Sequence, residues 1–452
     1  MEDNLATITP FALFFAILMG VLSIILPRRV ALLPLIIACS YMTVGQRILI
    51  FDKDINIFRI LFLFGWVRLL LRGEIQKSFR FNVIDKTLIY WAIASIILGA
   101  FVDATVLVQR LGSSFNAIGI YFLCRFLIRD LEDIEMLFRY VAILIVPLTI
   151  AMIIEKSTGR NLFAVFGGVP ETTMIRSSHE GATFFTRIRC QGPFRHPILA
   201  GTFGTVLIPL FVGLWFKEKI RKSIAIIGIA SASIIIFCAA SSGPVLTLMC
   251  VLFGFLIWPL RQNMRKIRWG IVCAVLGLHL IMKEPVWYIF SRMSGIMGGT
   301  GWHRSELINQ AITRFGEWWL FGTTYTAHWM PYTLRLDPNM TDITNQYIWE
   351  GVSGGVVKLI LFISLIAFSF RKVGLSIKAV KNEPFTIKFM IWSTGVSLVA
   401  HTVSFLSVAY FDQMIVFWYL LLAMIAALPR QTGDSSVSAK FTAEPIHTPT
   451  HL

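Results

Sequence analysis

Charge is scarce in this 452-residue chain, and acidic charge is scarcest: 15% of residues are charged, with 25 Asp and Glu against 41 Lys and Arg. So few charges cannot solvate a globular surface when 56% of residues are hydrophobic and mean hydropathy is +0.72. The composition argues against a soluble domain and predicts a polytopic membrane protein. Cysteine is scarce as well. Of the six, Cys39, Cys124, Cys238, Cys250 and Cys273 lie in or beside apolar stretches, where a thiol behaves as a small hydrophobe. Only Cys190 stands in a long polar stretch, so no disulfide is expected there. The chain has no CxxC and no His/Cys cluster, so no metal is expected. It has no G-x-x-x-x-G-K-S/T motif for ATP phosphates, and no cofactor is expected. The opening Met1-Glu2-Asp3-Asn4 lacks a basic n-region, so the first apolar run reads as a retained helix rather than a cleaved signal.

What is present is apolar runs. They fall at about 10–27, 30–45, 55–71, 87–104, 111–128, 137–154, 197–216, 222–240, 243–260, 268–284, 351–370, 388–406 and 409–428. At bilayer-spanning lengths these predict an all-α protein of about 12–13 transmembrane helices. The net charge of +16 would suggest nucleic acid in a soluble protein. Here the excess sits largely in alternate short connectors, and no nucleic-acid partner is expected. Those connectors carry Arg28 and Arg29; Arg72, Lys77, Arg80 and Lys86; Arg125, Arg129 and Arg139; Lys217, Lys219, Arg221 and Lys222; Arg261, Arg265, Lys266 and Arg268; and Arg371, Lys372, Lys378, Lys381 and Lys388. All six fall on one side, which the positive-inside rule makes cytoplasmic, if the N-terminus is outside. Two long polar stretches, about 155–197 and 284–350, then share the outer side. The expected organisation is a helical domain over 1–428 and a disordered cytoplasmic tail over 429–452, rich in Ser, Thr and Pro.

The first outer stretch ends in Thr186-Arg187-Ile188-Arg189-Cys190-Gln191-Gly192-Pro193-Phe194-Arg195-His196-Pro197. Gly192-Pro193 predicts a turn and Pro197 a first helical position. Guanidinium forks beside a helix start suit phosphate oxygens, so Arg187, Arg189, Arg195 and His196 are candidate pyrophosphate ligands. Anionic lipid headgroups would satisfy the same residues. The second stretch opens with Gly298-Gly299-Thr300-Gly301-Trp302-His303-Arg304, followed by a predicted helix to about Trp318 with Leu307, Ile308, Ala311, Ile312 and Phe315 as its apolar stripe. Its many tryptophans fit an interfacial belt or sugar stacking. Tyr325, His328, Asp337, Asp342, Asn345, Tyr347 and Glu350 add polar groups. Arg59 and Arg68, in one apolar run, read as snorkelling ends. His279 and His401 read as satisfied helix-packing residues.

Over roughly 185–370 the chain resembles the O-antigen ligase/polymerase family of bacterial membrane glycosyltransferases. The resemblance rests on Arg189-x-x-Gly192-x-Phe194-x-His196-Pro197, on Ser241-Ser242-Gly243-Pro244 opening a helix, and on Arg304 before a helix ending near Trp319-Leu320-Phe321-Gly322. It continues through Asn345-Gln346-Tyr347, Glu350-Gly351 and Gly354-Gly355. It implies metal-independent, inverting transfer of a glycan from undecaprenyl pyrophosphate to an acceptor sugar hydroxyl, at the periplasmic side of a bacterial inner membrane. Implied partners are the lipid-linked oligosaccharide, membrane lipids, a chain-length regulator and a flippase. Arg189 and Arg304 would lead the pyrophosphate grip, while Trp302, Trp319, Tyr325, Asn345 and Tyr347 would hold glycan. The family's ligases often place a histidine before the Asn of the last motif, where this chain has Thr344. That departure favours an exopolysaccharide or O-antigen polymerase over an O-antigen ligase and leaves the base open among Asp342, His328, Glu350 and His303. A transporter or flippase of the same lipid-linked oligosaccharide is the alternative outside enzymology.

Overall fold

The computed structural model describes residues 6–50, 53–55, 57–76, 79–175, 188–216, 219–292, 301–330 and 338–429. Arg187, 298–300, Asp337 and the tail over 430–452 lie outside the described residues. The chain is helical almost throughout. In order the helices are α1 (Pro10–Ile25), α2 (Leu33–Tyr41), α3 (Ile57–Leu71), α4 (Val83–Ala100), α5 (Ala104–Leu127), α6 (Leu131–Thr158), α7 (Pro197–Leu214), α8 (Lys219–Ala239), α9 (Ser242–Leu256), α10 (Met264–Ile281), α11 (Gly301–Thr313), α12 (Phe315–Trp318), α13 (Gln346–Val352), α14 (Gly355–Ala379), α15 (Phe385–Ser404) and α16 (Gln413–Ala427). The strands are short: β1 (Ala6–Thr7), β2 (Gln46–Ile50) and β3 (Lys53–Ile55) form one small sheet, and β4 (Met174–Ile175) pairs with β5 (Ile188–Arg189) in another.

The helix ends follow local chemistry. Asp103 and Asp130 cap α5 and α6 by accepting from Val106 N and Asp133 N, and Asn82 with Asp85 forms a reciprocal capping box on α4. Gly159, at φ +70°, turns the chain out of α6 in the left-handed conformation that favours glycine. Four helices are long and apolar enough to cross a membrane: α4, α6, α7 and α8 within Ile220–Ala239. A fifth span is available if the pair Ser242–Leu256 and Trp258–Ile281, bent by 77°, counts as one. The apolar run at 30–45 yields only the nine residues of α2. At a rise of about 1.5 Å per residue that is about 14 Å, half or less of a hydrocarbon core. Pro34 starts this helix late, and the chain after Met42 leaves it for β2.

α7 is the central helix, buried over nearly its whole length between α6, α8, α9 and α15. Its aromatic residues set the depth of the core, with Phe203 packed on Phe194 and Phe417. The outward faces of the bundle are apolar too: Phe14, Leu70, Tyr90, Ile97, Ile150, Phe237, Leu252 and Leu280 are exposed. Apolar patches on this scale mark a lipid or protein environment rather than water.

The basic connectors meet at one end of the bundle. Arg28 pairs with Asp133 at 2.6 Å, Arg129 donates to the Glu74 carbonyl, and Arg221 pairs with Glu135 at 2.7 Å. Lys372 donates to the Leu428 carbonyl, and Trp258 packs on Phe385. Arg68 does not snorkel as expected from sequence. It is fully buried, paired with Glu74 at 2.7 Å and donating to the Ser23 carbonyl. His401 accepts or donates with the Tyr410 hydroxyl at 3.0 Å, and His279 Nδ1 accepts from Val286 N, so both histidines are satisfied.

Both long polar segments gather at the opposite end, joined through the connector 405–412. Gln346 N donates to the Phe405 carbonyl at 2.8 Å and Tyr410 N donates to the Gln346 side chain at 2.6 Å. On the other flank, Gln413 Nε2 donates to the Pro193 carbonyl at 3.0 Å. The second polar segment carries a small core of its own: Leu307, Ala311, Trp318, Trp329, Met330, Ile343 and Val352. Phe101, in the α4–α5 turn, stacks on Phe321 at 5.1 Å and seats this segment on the bundle.

Candidate functional site

The first polar segment is built around one buried carboxylate. Glu155, near the end of α6, accepts from Gln191 N at 3.0 Å, Gly192 N at 2.9 Å and Thr173 Oγ1 at 3.1 Å. Two successive backbone N–H groups can converge on one carboxylate only across a tight turn. Gly192 supplies it at φ +57°, a conformation that L side chains rarely adopt. Asn161 closes the same turn by donating to the Gly192 carbonyl at 2.8 Å. β4 pairs with β5 in the register Met174 to Arg189, and Cys190 N donates to the Cys238 carbonyl at 3.1 Å. These bonds fix Arg189 on one side of the turn and Arg195 and His196 on the other.

His196 is the N-cap of α7, its Nδ1 accepting from Ile198 N at 3.2 Å, with Pro197 at the first helical position as expected from sequence. Burial, and then the nearby charge of Arg189, push its pKa down to about 4. The imidazole is therefore neutral near pH 7. With Nδ1 accepting, its proton sits on Nε2, which makes this candidate pyrophosphate ligand a neutral hydrogen-bond donor.

Arg195 lies 3.6 Å through Nε from Asp412 Oδ2. Nothing in the sequence selects Asp412, because its connector sits inside a nearly continuous apolar run. Its side chain is largely but not fully buried, and its backbone is at φ +53°, ψ −129°. A non-glycine residue held at positive φ stores strain, and such residues cluster at functional sites. Burial raises the Asp412 carboxyl to about 6, against an opposing pull from Arg195. The folded value lies above the ordinary 3.8, so folding favours the protonated form. The stabilisation linked to this group is complete below pH ~4 and is lost as pH rises through about 6, by about 3 kcal/mol at most. Asp412→Asn is accordingly expected to gain stability relative to the wild type between pH 4 and 6.5. Melting temperatures of the two proteins across that range measure it, and a gap independent of pH would contradict it.

In the second polar segment, α11 begins at Gly301 and ends at Thr313, and α12 continues after a break at Arg314. The expected single helix to Trp318 is thus interrupted. Leu307 and Ala311 are buried as predicted, whereas Ile312 and Phe315 are exposed. Arg304 lies one turn before Leu307 on the same helix. Its Nε is buried and has no hydrogen-bond partner among the described residues. Burial lowers its pKa, although guanidinium remains charged in proteins. A buried Nε–H without a partner is costly, and a half-buried guanidinium suits an anion that arrives with a substrate.

The base candidates separate by environment. His328 Nε2 lies 3.0 Å from Glu317 Oε2, its ring is stacked on Tyr325 at 5.1 Å, and its Nδ1 is buried without a partner among the described residues. Glu317 also accepts from Trp329 Nε1 at 2.9 Å and Arg314 Nη1 at 3.1 Å. Burial alone would raise the Glu317 carboxyl, but hydrogen bonds from Trp329, His328 and Arg314 prevail and hold it down. An ionised carboxylate on Nε2–H leaves Nδ1 as an oriented acceptor, the arrangement a general base needs. Sequence reading did not single out Glu317.

Glu350 is committed elsewhere. It accepts from Trp91 Nε1 at 3.1 Å and Gln346 Nε2 at 2.8 Å, and pairs with Lys358 at 3.2 Å inside the bundle. Asp342 has an exposed side chain, and its backbone carbonyl meets His303 Nε2 at 3.0 Å. Of the glycan candidates, Trp302, Trp319 and Tyr325 are about half exposed and offer aromatic faces. Asn345 instead caps α13 through Tyr347 N and Ile348 N, and Tyr347 donates to the Thr402 carbonyl. Both are used in holding 345–352 against the 405–412 connector. Neither a family model nor a curated protein matches this chain.

Proposed function

We propose that the chain is a multipass inner-membrane glycosyltransferase that extends a bacterial surface polysaccharide, an exopolysaccharide or O-antigen, from an undecaprenyl-pyrophosphate donor. The single observation that carries this reading is the Glu317–His328 pair, with a buried nitrogen unpartnered among the described residues beside an exposed aromatic face, on the segment that also presents Arg304. The donor set around it suits the chemistry. Arg189, Arg195 and the Nε2–H of His196 would bind the pyrophosphate from the first segment, and Arg304 from the second. Trp302, Trp319 and Tyr325 would stack on sugar rings.

In the reaction, the acceptor hydroxyl oxygen attacks the anomeric carbon from the face opposite the pyrophosphate. A new glycosidic C–O bond forms, the old C–O bond to phosphate breaks, and configuration inverts. The hydroxyl proton passes to His328 Nδ1, and undecaprenyl pyrophosphate leaves with its charge met by fixed cationic donors. This reading gives the bundle 12–13 spans, with the N-terminus and both polar segments outside and the C-terminus cytoplasmic. The gathering of basic connectors at one end supports that orientation. So do the lengths of α5, α14 and α15, at 24, 25 and 20 residues, although each carries more polar groups than a simple span.

Purified protein in liposomes, supplied with radiolabelled lipid-linked oligosaccharide, is expected to yield covalently lengthened glycan. Transbilayer movement of unaltered lipid, with no new bond, would identify a flippase instead.

A further inference from the structure

Cys190 and Cys238 come from distant parts of the chain, one beside the basic turn and the other at the last turn of α8. The Cys190 N–H donates to the Cys238 carbonyl at 3.1 Å. That direct backbone contact makes the two residues immediate neighbours, as a disulfide requires. The two thiols lie in hydrogen-bonding reach of each other. Both are almost completely buried. The Lys156 ammonium acts electrostatically on both sulfurs and sits 5.8 Å over the Phe237 ring next to Cys238. No such pair was expected from sequence, because Cys238 reads there as one more apolar helix residue.

We propose that Cys190 and Cys238 are a disulfide-forming pair, a covalent staple that ties the basic turn of the first polar segment to the end of α8. The staple forms by thiol–disulfide exchange as the segment folds, before burial is complete. One cysteine thiolate attacks a small or protein-borne disulfide oxidant, forming a mixed disulfide and releasing one thiol. The second cysteine attacks the mixed disulfide, closes the Cys190–Cys238 bond and releases the second thiol. Two cysteine thiols are oxidised, one oxidant disulfide is reduced to two thiols, and the two protons balance. Once closed, the bond is shielded from reductants by the same burial. The pair also fits an end of the bundle that faces an oxidising compartment. The inference stands whether or not the catalytic reading holds.

The test uses the full chain in its native membranes. Free thiols are blocked with N-ethylmaleimide during denaturation, and peptides are mapped by mass spectrometry without reduction, before and after exposure of growing cells to dithiodipyridine. The expected result is a joined Cys190–Cys238 peptide, with four of the six cysteines still alkylated and all six alkylated after dithiothreitol. Cys190→Ser should abolish the joined peptide and leave Cys238 alkylated. Complete alkylation of both cysteines in the wild-type chain after oxidant, or joining of either to a different cysteine, would overturn the proposal. The wild-type map alone decides it, even if the serine variant fails to accumulate.

Discussion

Arg304→Ala is expected to cut glycan lengthening by on the order of 100-fold or more while leaving the protein at least as stable as the wild type. The two halves of that expectation come from one observation. The Arg304 Nε is buried and makes no hydrogen bond among the described residues, so the substitution deletes no Nε contact that holds α11 in place. Taking a charge out of water without a partner costs several kcal/mol, and removing it relieves that cost. The leaving pyrophosphate gains charge as its bond to the sugar breaks, and a fixed guanidinium stabilises that state more than the ground state. Arg304→Lys keeps the charge but loses the planar fork and is expected to retain part of the rate. The measurement pairs polymer length in cells with melting of the purified variant. Normal chain lengths with Arg304→Ala would remove Arg304 from the site, and a collapse in melting temperature would assign it to the fold.

Much of the fold was legible because hydrophobic runs and connector charge are both direct physical signals. Each predicted run forms a helix, and the arginines of alternate connectors do meet at one end, where Arg28 reaches Asp133 and Arg221 reaches Glu135. What was hidden had no signal of its own. Asp412 lies in Ser407-Val408-Ala409-Tyr410-Phe411-Asp412, a stretch apolar enough to read as the start of a span. Only the structure shows it as the connector that touches both polar segments. Glu317 stood among tryptophans, and its meaning came from His328, eleven residues on and brought back by the turn at 322–327. Glu350 misled in the opposite direction. A carboxylate beside the last motif suggested a base, but Lys358, in the first turn of the next helix, reaches back to neutralise it.

Glu155→Ala is expected to give the largest loss of stability, about 2–4 kcal/mol. It orphans three donors at once: the backbone N–H groups of Gln191 and Gly192 and the Thr173 hydroxyl. Each buried donor left unsatisfied costs roughly 1–3 kcal/mol. Part of that is returned because an expensive buried carboxylate is removed, so the total falls well short of three full penalties. Local structure should respond more than the bundle. The other ties of the turn at 190–194 hold its ends: Cys190 at Cys238, Gln413 on the Pro193 carbonyl and Phe194 on Phe203, with Asn161 alone on the Gly192 carbonyl, so the Gln191 and Gly192 N–H groups depend on Glu155. Hydrogen exchange over 188–195 should therefore accelerate sharply, while exchange in α7 and α8 changes little. Glu155→Gln separates charge from shape. Its single carbonyl oxygen can serve one N–H, but its amide donor opposes the other, so the loss should be intermediate. Because Arg189 and Arg195 flank this turn, glycan transfer is expected to fall with the same order of severity, Ala below Gln below wild type. Unchanged exchange over 188–195 in Glu155→Ala would show that the carboxylate does not hold the turn.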